Sequence, residues 1–576
     1  MTFPVKVPIG IGAANWTSLR IDATVLLVVH NITTLNRVLD VVGLFDVDFG
    51  LQLVMTSSLS DPFTYGLSDA VGVRGIVFVP WEQAKQTRFD LIIAASHHGY
   101  LSDLFGPIAI LSHGIGYTKY SPGAGSREPG AGSREPGAGS REPGARSVFG
   151  LSRQWLLYDG SPIAAAFVLA HPEQLARMVA DAPEAVPAAV VAGDPCFDRM
   201  LVSVTHRSWY RHRLGVHDGR AVVVLSSTWS TNSLLGSWPQ LIQRLVAELP
   251  TDAYRLVAVL HPNLVQGHGP FQVKAWLADC LRSGLTLIPP DQGWQAALVA
   301  ADLVIGDHGS VTTYGAALGK PVLLGAFPDE EVAPGTAVHR IGVLAARLQR
   351  SAPLRRQVEA ALSSYDPRRY ADIAELVSSV PGESAVRLRH LFYRLLDRPE
   401  PAGEAMTYAF AAAGLSAAPR PSLSAAVVAC EVDVTNRLIR LERFAAEPPP
   451  QLGAAPHPGR VHTAVYHAHP GRQLQRAAEV VFAYDDEIDD LDSWLARTLD
   501  ARRHCTVAAV IGGSGVVVRH RQRGRLVVTT DAGVDPAVLA SVVLAWLDTG
   551  EEPSLVTVHV GVHQAWVLIE RSGEGV

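Results

Sequence analysis

The sequence predicts an α/β protein in which two doubly wound, parallel-sheet domains follow one another and a small α+β module closes the chain. Three observations carry this. Short runs rich in Val, Ile and Leu recur between residues 23 and 324, each followed by an amphipathic or irregular stretch. The runs are continuously apolar rather than alternating, which is the pattern of parallel strands covered on both faces. The βα alternation also starts afresh after a basic, aromatic segment, Ser203–Leu214 (SVTHRSWYRHRL), so there are two series and not one.

In the first series Ala23–Val29 (ATVLLVV), Gly50–Met55, Gly75–Val79, Leu91–Ala95 and Ile108–Leu111 are expected strands, with a helix over Leu35–Val42. Pro172–Asp181 reads as a helix, and Ala189–Ala192 as a strand ending in the turn Gly193-Asp194-Pro195. The second series has strands at Ala221–Leu225 (AVVVL), Arg255–Leu260, Leu285–Ile288, Leu303–Ile305 and Val322–Leu324. Its helices are expected at Trp238–Glu248, Gln272–Ser283, Gln295–Ala300 and Val311–Leu318. Ala352–Arg398 reads as helical, broken at Pro367 and Pro381. Proline-rich breaks at Pro399–Gly403 and Pro448–Pro458 precede the last module. Strands are expected there at Thr506–Ile511, Val516–Val518, Arg525–Thr529, Leu555–Val560 and Ala565–Ile569, with a helix over Ala537–Thr549. The expected divisions are 1–205, 206–350, a helical connector 351–404, and 405–576.

A chain of 576 residues exceeds one ordinary core, and 48% hydrophobic with 18% charged residues is globular composition. The net charge of −6 gives no electrostatic case for nucleic acid as a partner. The four cysteines lie far apart and form no CxxC pair, which argues against a zinc ribbon, a redox motif or a disulfide framework. MTFPVKVPIGIGAANW lacks the apolar core of a signal peptide, and the run at Ala23–His30 is too short to span a membrane. A soluble, cytoplasmic protein without a transmembrane segment is therefore expected. Pro122–Glu142 is three copies of PGAGSRE, followed by PGAR. Each copy carries a proline and two glycines and no apolar heptad pair, so a charge-balanced surface loop is expected rather than a coiled coil.

The strongest local signal is Asp307-His308-Gly309-Ser310, between an expected strand end and the helix that follows. Ligands of open α/β sheets bind outside the carboxyl ends of strands. The N–H groups of Gly309, Ser310 and Val311 at a helix start suit phosphate oxygens. The hydroxyls of Ser310 and Thr312 add donors. The plainer alternative is that Asp307 or Ser310 caps the helix, which does not exclude a ligand. His261-Pro262-Asn263 places an imidazole at the same rim. The hydroxyl-rich stretch Ser226–Asn232, with Ser227 and Thr228, suits a diphosphate or a solvated turn.

In the first series, Ser112–Tyr117 (SHGIGY) follows a strand. Gly114 and Gly116 allow close backbone approach, and His113 can act as general base; the alternative is a glycine-rich turn. His97 and His98 form a second rim candidate, but neighbours on an extended chain point apart, so a shared metal is not expected. His339 and Arg340 are weaker candidates for an anionic group. Asp485–Asp492 (DDEIDDLD) lacks EF-hand spacing and reads as a solvated, helix-initiating face.

Taken together, AADLVIGDHGSVTTYGAALGKPVLL at Ala300–Leu324, HPN at His261–Asn263 and SHG at Ser112–Gly114 resemble the CDP-glycerol glycerophosphotransferase group. They are more loosely similar to UDP-N-acetylglucosamine 2-epimerases. The resemblance covers residues 20–350. It implies two facing Rossmann-like domains of GT-B type and a transferase moving a sugar or polyol phosphate from a nucleotide-diphosphate donor. His113 would be the base, and His261 with the Asp307–Ser310 segment would hold the diphosphate. No cofactor or metal is implied, and the acceptor is unspecified. The first-domain motif departs from the group's tryptophan-led HGTP-like form. The second has Asp307-His308-Gly309-Ser310 where the group more often has a tyrosine and paired serines. The alternative function is a non-catalytic nucleotide-binding scaffold whose C-terminal module engages a partner. An epimerase would need cleft carboxylates, and none stands out.

Overall fold

The apolar runs assemble into two all-parallel sheets. The computed structural model describes residues 4–10, 12–64, 66–120, 147–216, 219–415, 424–447, 459–513, 515–531 and 533–572. The PGAGSRE repeats and the Pro448–Pro458 break lie outside the described residues.

The first sheet contains β1 (Ala23–Val28), β2 (Leu51–Thr56), β3 (Leu91–Ala94), β4 (Ile108–Leu111), β5 (Ala166–Leu169) and β6 (Ala189–Val191), in the order β2-β1-β3-β4-β5-β6. The run expected at Gly75–Val79 pairs with β2 only through a parallel bridge at Met55 and Phe78. The second sheet contains β7 (Ala221–Ser227), β8 (Tyr254–Leu260), β9 (Thr286–Leu287), β10 (Leu303–Gly306), β11 (Val322–Leu324) and β12 (Ala346–Arg347), in the order β9-β8-β7-β10-β11-β12. Strand order reverses between β1 and β3 and between β7 and β10. Each reversal opens a crevice at the strands' carboxyl ends, so both domains are Rossmann-like.

The helices that matter to the site are α1 (Ile32–Val42), α2 (Pro195–Ser203), α3 (Arg207–Arg213), α4 (Leu241–Glu248), α5 (Pro262–His268), α6 (Trp294–Ala300) and α7 (Ser310–Ala317). α1 starts three residues earlier than expected because Asn31 and Thr34 cap it reciprocally. The expected connector is not one unit. α8 (Leu354–Ser363) and α9 (Ala371–Val377) pack into second-domain cores, whereas α10 (Ser384–Leu395) returns to the first. There Phe392 stacks on Phe45 with ring centroids 5.6 Å apart. Residues 397–415 then cross back, and Phe410, Ala412 and Leu415 join a second-domain core.

The C-terminal module corrects the expected small α+β arrangement. Nine strands close a barrel: β13 (Ala425–Asp433), β14 (Leu438–Ala445), β15 (Arg460–Tyr466), β16 (Val480–Tyr484), β17 (Val507–Gly512), β18 (Gly515–His520), β19 (Gly524–Thr530), β20 (Leu555–Val560) and β21 (His563–Arg571). Their order round the barrel is β13-β14-β20-β21-β19-β18-β17-β16-β15. Every second residue points inward, as Val556, Val558 and Val560 do on β20, onto the helix α12 (Leu539–Leu547). All nine residues of that helix, LASVVLAWL, are buried, which is what a helix apolar on every side requires. Closure removes every sheet edge. The acidic run forms a turn at Asp485–Glu487, and Asp490 then caps helix α11 (Leu491–Ala501); α11 lies outside the barrel, where Leu495 and Leu499 pack with Val481 and Val510.

The barrel docks on the second domain at the amino ends of its strands. Arg443 pairs with Asp252, just before β8, at 2.6 Å, and with Asp535 at 2.7 Å. A Cβ at Gly561 would sit 2.2 Å from the Asp252 carbonyl oxygen, so glycine is needed for this approach. The barrel is thus on the rim opposite the carboxyl ends of β7, β8 and β10. Among the described residues no helix is long and apolar enough to cross a membrane.

The barrel interior encloses two histidines, His462 and His520. His462 Nε2 lies 2.8 Å from Ser541 Oγ on α12. Burial, then the charge of Arg460, pushes the His462 pKa down to about 4 from 6.5, and burial also lowers that of His520. Below pH 6.5 the unfolded chain therefore binds protons that the folded barrel refuses. The stability present above pH 6.5 is lost as pH falls towards the folded value. Thermal unfolding followed between pH 7 and pH 5 is expected to show a falling midpoint, which His462→Gln reduces in slope. A midpoint independent of pH across that window would contradict the assignment.

Candidate active site

The second-domain wall is organised by Asp307, which leaves β10 and is 1% exposed. Its Oδ2 accepts hydrogen bonds from Thr228 N, Thr228 Oγ1 and Leu234 N, each at 2.8 Å, and its Oδ1 accepts from Gly309 N at 3.0 Å. Both carboxylate oxygens are engaged, so Asp307 positions the 228–234 loop beside the start of α7. Ser227 Oγ donates to the Thr228 carbonyl at 2.9 Å and accepts from Leu235 N at 3.1 Å. Thr312 is fully buried and lies against Gly306, where a Cβ would meet its Oγ1 at 2.1 Å. Gly309 packs on Thr228, whose Cγ2 lies 2.5 Å from where a Cβ would stand. Ser227, Thr228, Asp307 and Thr312 thus build the loops. Gly309 supplies no side-chain cap to α7, so the N–H groups of Ser310 and Val311 begin the helix without one. His308 turns inward against Phe327, with Nε2 3.9 Å from a Glu331 carboxylate oxygen.

His261, at the end of β8, accepts from Asn263 N through Nδ1 at 3.1 Å, capping α5. Its proton therefore sits on Nε2, a hydrogen-bond donor. Burial, then the charges of Lys119 and His113, pushes its pKa down to about 3, so it stays neutral.

Across the cleft, His113 follows β4 and is reached by solvent although protein groups surround it. Its Nδ1 lies 3.0 Å from the Ala95 carbonyl and donates to it, leaving the Nε2 lone pair free to accept a proton. Enclosure lowers its pKa to about 4. The two imidazoles are thus held in opposite tautomers, one a base and the other a donor.

A further group was not picked out in the sequence. Lys119 lies where the first domain pairs with the second, through an antiparallel bridge to Val332. Its charge acts on His261, Asp307 and His308, and among the described residues its ammonium makes no hydrogen bond or ion pair. The only local sign of it is that it is the one lysine or arginine in Ser112–Tyr120. The domains also touch where Ile115 N donates to Ser310 Oγ at 3.1 Å, and a Cβ on Gly114 would come within 2.6 Å of that oxygen.

His97 and His98 do point apart. His97 lies on Phe167 and Tyr117, His98 on Phe149 and Trp155. Arg340 pairs with Asp372 at 2.7 Å, and His339 lies on the same helix. Leu59, Tyr100, Tyr117 and Ser230 have positive φ (53°, 57°, 63° and 118°), and each lies in a loop after the carboxyl end of β2, β3, β4 or β7. Val47, Asp159, Asp397 and Arg437 also have positive φ and lie elsewhere, so backbone strain of about 1–3 kcal/mol each is not confined to this rim. No cluster of three or more metal-ligating side chains occurs among the described residues.

Two Rossmann-like domains in contact at Lys119–Val332 and Ile115–Ser310, with a barrel behind the second, make up the architecture. No protein family model matches the chain, and no curated protein matches it in sequence. Among solved structures it is similar to the wall teichoic acid polymerase TagF, with 11% identity over 65% of this chain and 89% of that one, TM-score 0.44. It is also similar to MnaA from S. aureus, solved with UDP (13% identity, 66% of this chain and 100% of that one, TM-score 0.41). The UDP-GlcNAc 2-epimerase from Neisseria meningitidis, bound to UDP-GlcNAc, is 11% identical over 65% of this chain and 99% of that one, with TM-score 0.40.

Proposed function

We propose that the protein transfers a sugar or polyol phosphate from a nucleotide-diphosphate donor to a hydroxyl acceptor. The observation that carries this is the pairing of opposite groups at one domain boundary. The first domain supplies His113 Nε2 and the Lys119 ammonium, neither of which has a hydrogen-bond partner among the described residues. The second supplies the Nε2–H of His261 and the start of α7. In this reading the acceptor oxygen attacks the transferred group and its proton passes to His113 Nε2. The bond to the leaving nucleotide breaks with its electron pair. The charge that develops there is stabilised by Lys119, His261 and the first N–H groups of α7.

The test is binding followed by turnover. A thermal-shift screen against CDP-, UDP-, GDP- and TDP-linked donors is expected to raise the midpoint with at least one of them, by mass action. Losing a hydrogen bond to a charged ligand costs about 1.5–3 kcal/mol. His261→Ala and Lys119→Met are each therefore expected to weaken that donor by about 10- to 100-fold in calorimetric titration. An unaltered Kd in both variants would overturn the assignment. A non-catalytic nucleotide-binding scaffold is favoured by one observation, the internal engagement of Ser227, Thr228 and Asp307. It predicts binding with no turnover of any donor.

A further inference from the structure

Helix α7 carries Ser310 and Tyr314 four residues apart, hence on one face. Both are tied to the loop that holds His113, Ser310 directly and Tyr314 through another side chain. Ser310 Oγ accepts from Ile115 N, and Tyr314 acts through a buried guanidinium, that of Arg37 on α1. Arg37 donates to Asp194 Oδ1 at 3.0 Å and Oδ2 at 3.2 Å, to the Gly114 carbonyl at 2.8 Å, and to Tyr314 OH at 2.9 Å. Tyr314 OH in turn donates to Asp194 Oδ2 at 2.7 Å. The side chains of Arg37 and Asp194 are each 3% exposed. Asp194 lies at the crossing between domains and caps α2 through Phe197 N. Asp40 approaches Arg37 at 3.9 Å and is itself paired with Arg199 at 2.8 Å.

One guanidinium therefore joins four pieces of chain: α1, the loop after β4, the domain crossing and α7. The loop carbonyl it grips belongs to the residue next to His113. The planar guanidinium holds its donors in fixed directions, whereas an ammonium, though it has three N–H groups, lacks that fixed fork. A charge pair this deeply buried is a poor source of net stability, because desolvation offsets most of the attraction.

We propose that Arg37 is a positioning residue which, with Tyr314, holds the His113 loop in register with the first turn of α7. This rests on the proposed transferase reading, in which base and donor site must meet on one ligand. The test uses the full chain carrying Tyr314→Phe, which removes the hydroxyl and keeps the ring, and Arg37→Lys. Amide hydrogen exchange across residues 112–117, donor affinity and steady-state kinetics are measured. Exchange in that segment is expected to quicken in both variants. With one charged hydrogen bond lost, kcat is expected to fall by about 10-fold, while the donor Kd stays within about twofold.

Unchanged exchange at 112–117 in folded Tyr314→Phe would overturn the proposal. So would a lower thermal midpoint accompanied by wild-type kcat, since that is a purely structural role. Should Arg37→Lys fail to fold, Tyr314→Phe still decides. Should the wild-type chain bind no nucleotide donor, the transferase reading falls, and the exchange measurement still reports whether the loop is held as described.

Discussion

His113→Ala is expected to lower turnover by about 10²- to 10⁴-fold, the range for a positioned general base. Donor affinity should stay within about twofold, because His113 lies on the opposite wall from His261 and α7 and takes its proton from the acceptor. The argument rests on the tautomer. Ala95 fixes the proton on Nδ1, so Nε2 has no role except to accept. Nearby neutral and cationic groups make protonation costly, and the pKa of His113 is lowered to about 4 by enclosure, with His98 and Arg37 acting the same way. The base is thus in its active form at neutral pH. Activity is lost only as pH falls through that low value, so the acid limb of kcat/KM should lie well below 6.5. Turnover unaffected by the substitution would remove the proposed base, and an acid limb at 6.5 or above would show that the ring is not enclosed as described.

Asp307→Ala is expected to be the most destabilising single change at the cleft. Four donors converge on this carboxylate, from Thr228 (two), Leu234 and Gly309, and each is buried or part of a buried turn. A buried donor left unpaired costs about 1–3 kcal/mol, and some of the four will find other partners as the loop relaxes. The expected net loss is about 3–5 kcal/mol, at the upper end for point substitutions. In a unit of this size that lowers the thermal midpoint on the order of 10 °C. Donor binding should weaken as well, because the 228–234 loop is no longer held beside α7. Asp307→Asn should recover only part of the stability, since its amide offers one acceptor oxygen and turns donors towards donors. A midpoint within a degree or so of wild type for Asp307→Ala would mean that the four bonds are not what holds the loop.

The parallel strands were legible because burial on both faces leaves a local signature, a short run with no polar alternation. The site's rim was legible for a related reason: ligand loops of such sheets follow strand ends, and His113, His261 and Asp307–Ser310 each do. The barrel was less legible. Its first three strands carry Glu431 and Arg440 on outward positions and Arg443 and Arg460 on the inward register, which dilutes an alternating pattern that is weak over seven to nine residues. The one strong sign was α12, whose sequence is apolar on every side and so needs an enclosure. Nothing local shows that the enclosure is a closed ring of strands from both flanks of that helix.

The sequence by itself determined the two βα series, the strand-end loops and the residue types available at the rim. Only the tertiary structure decided what those residues do. Thr228 and Leu234 reach Asp307 across 79 and 73 residues, and Tyr314 reaches Arg37 across 277. Buried polar groups must find partners wherever the fold brings them, so a motif read locally as ligand contacts became, for Ser227, Thr228 and Asp307, the frame of the site. By the same logic Lys119, unremarkable in its own stretch of chain, became the cation left facing it.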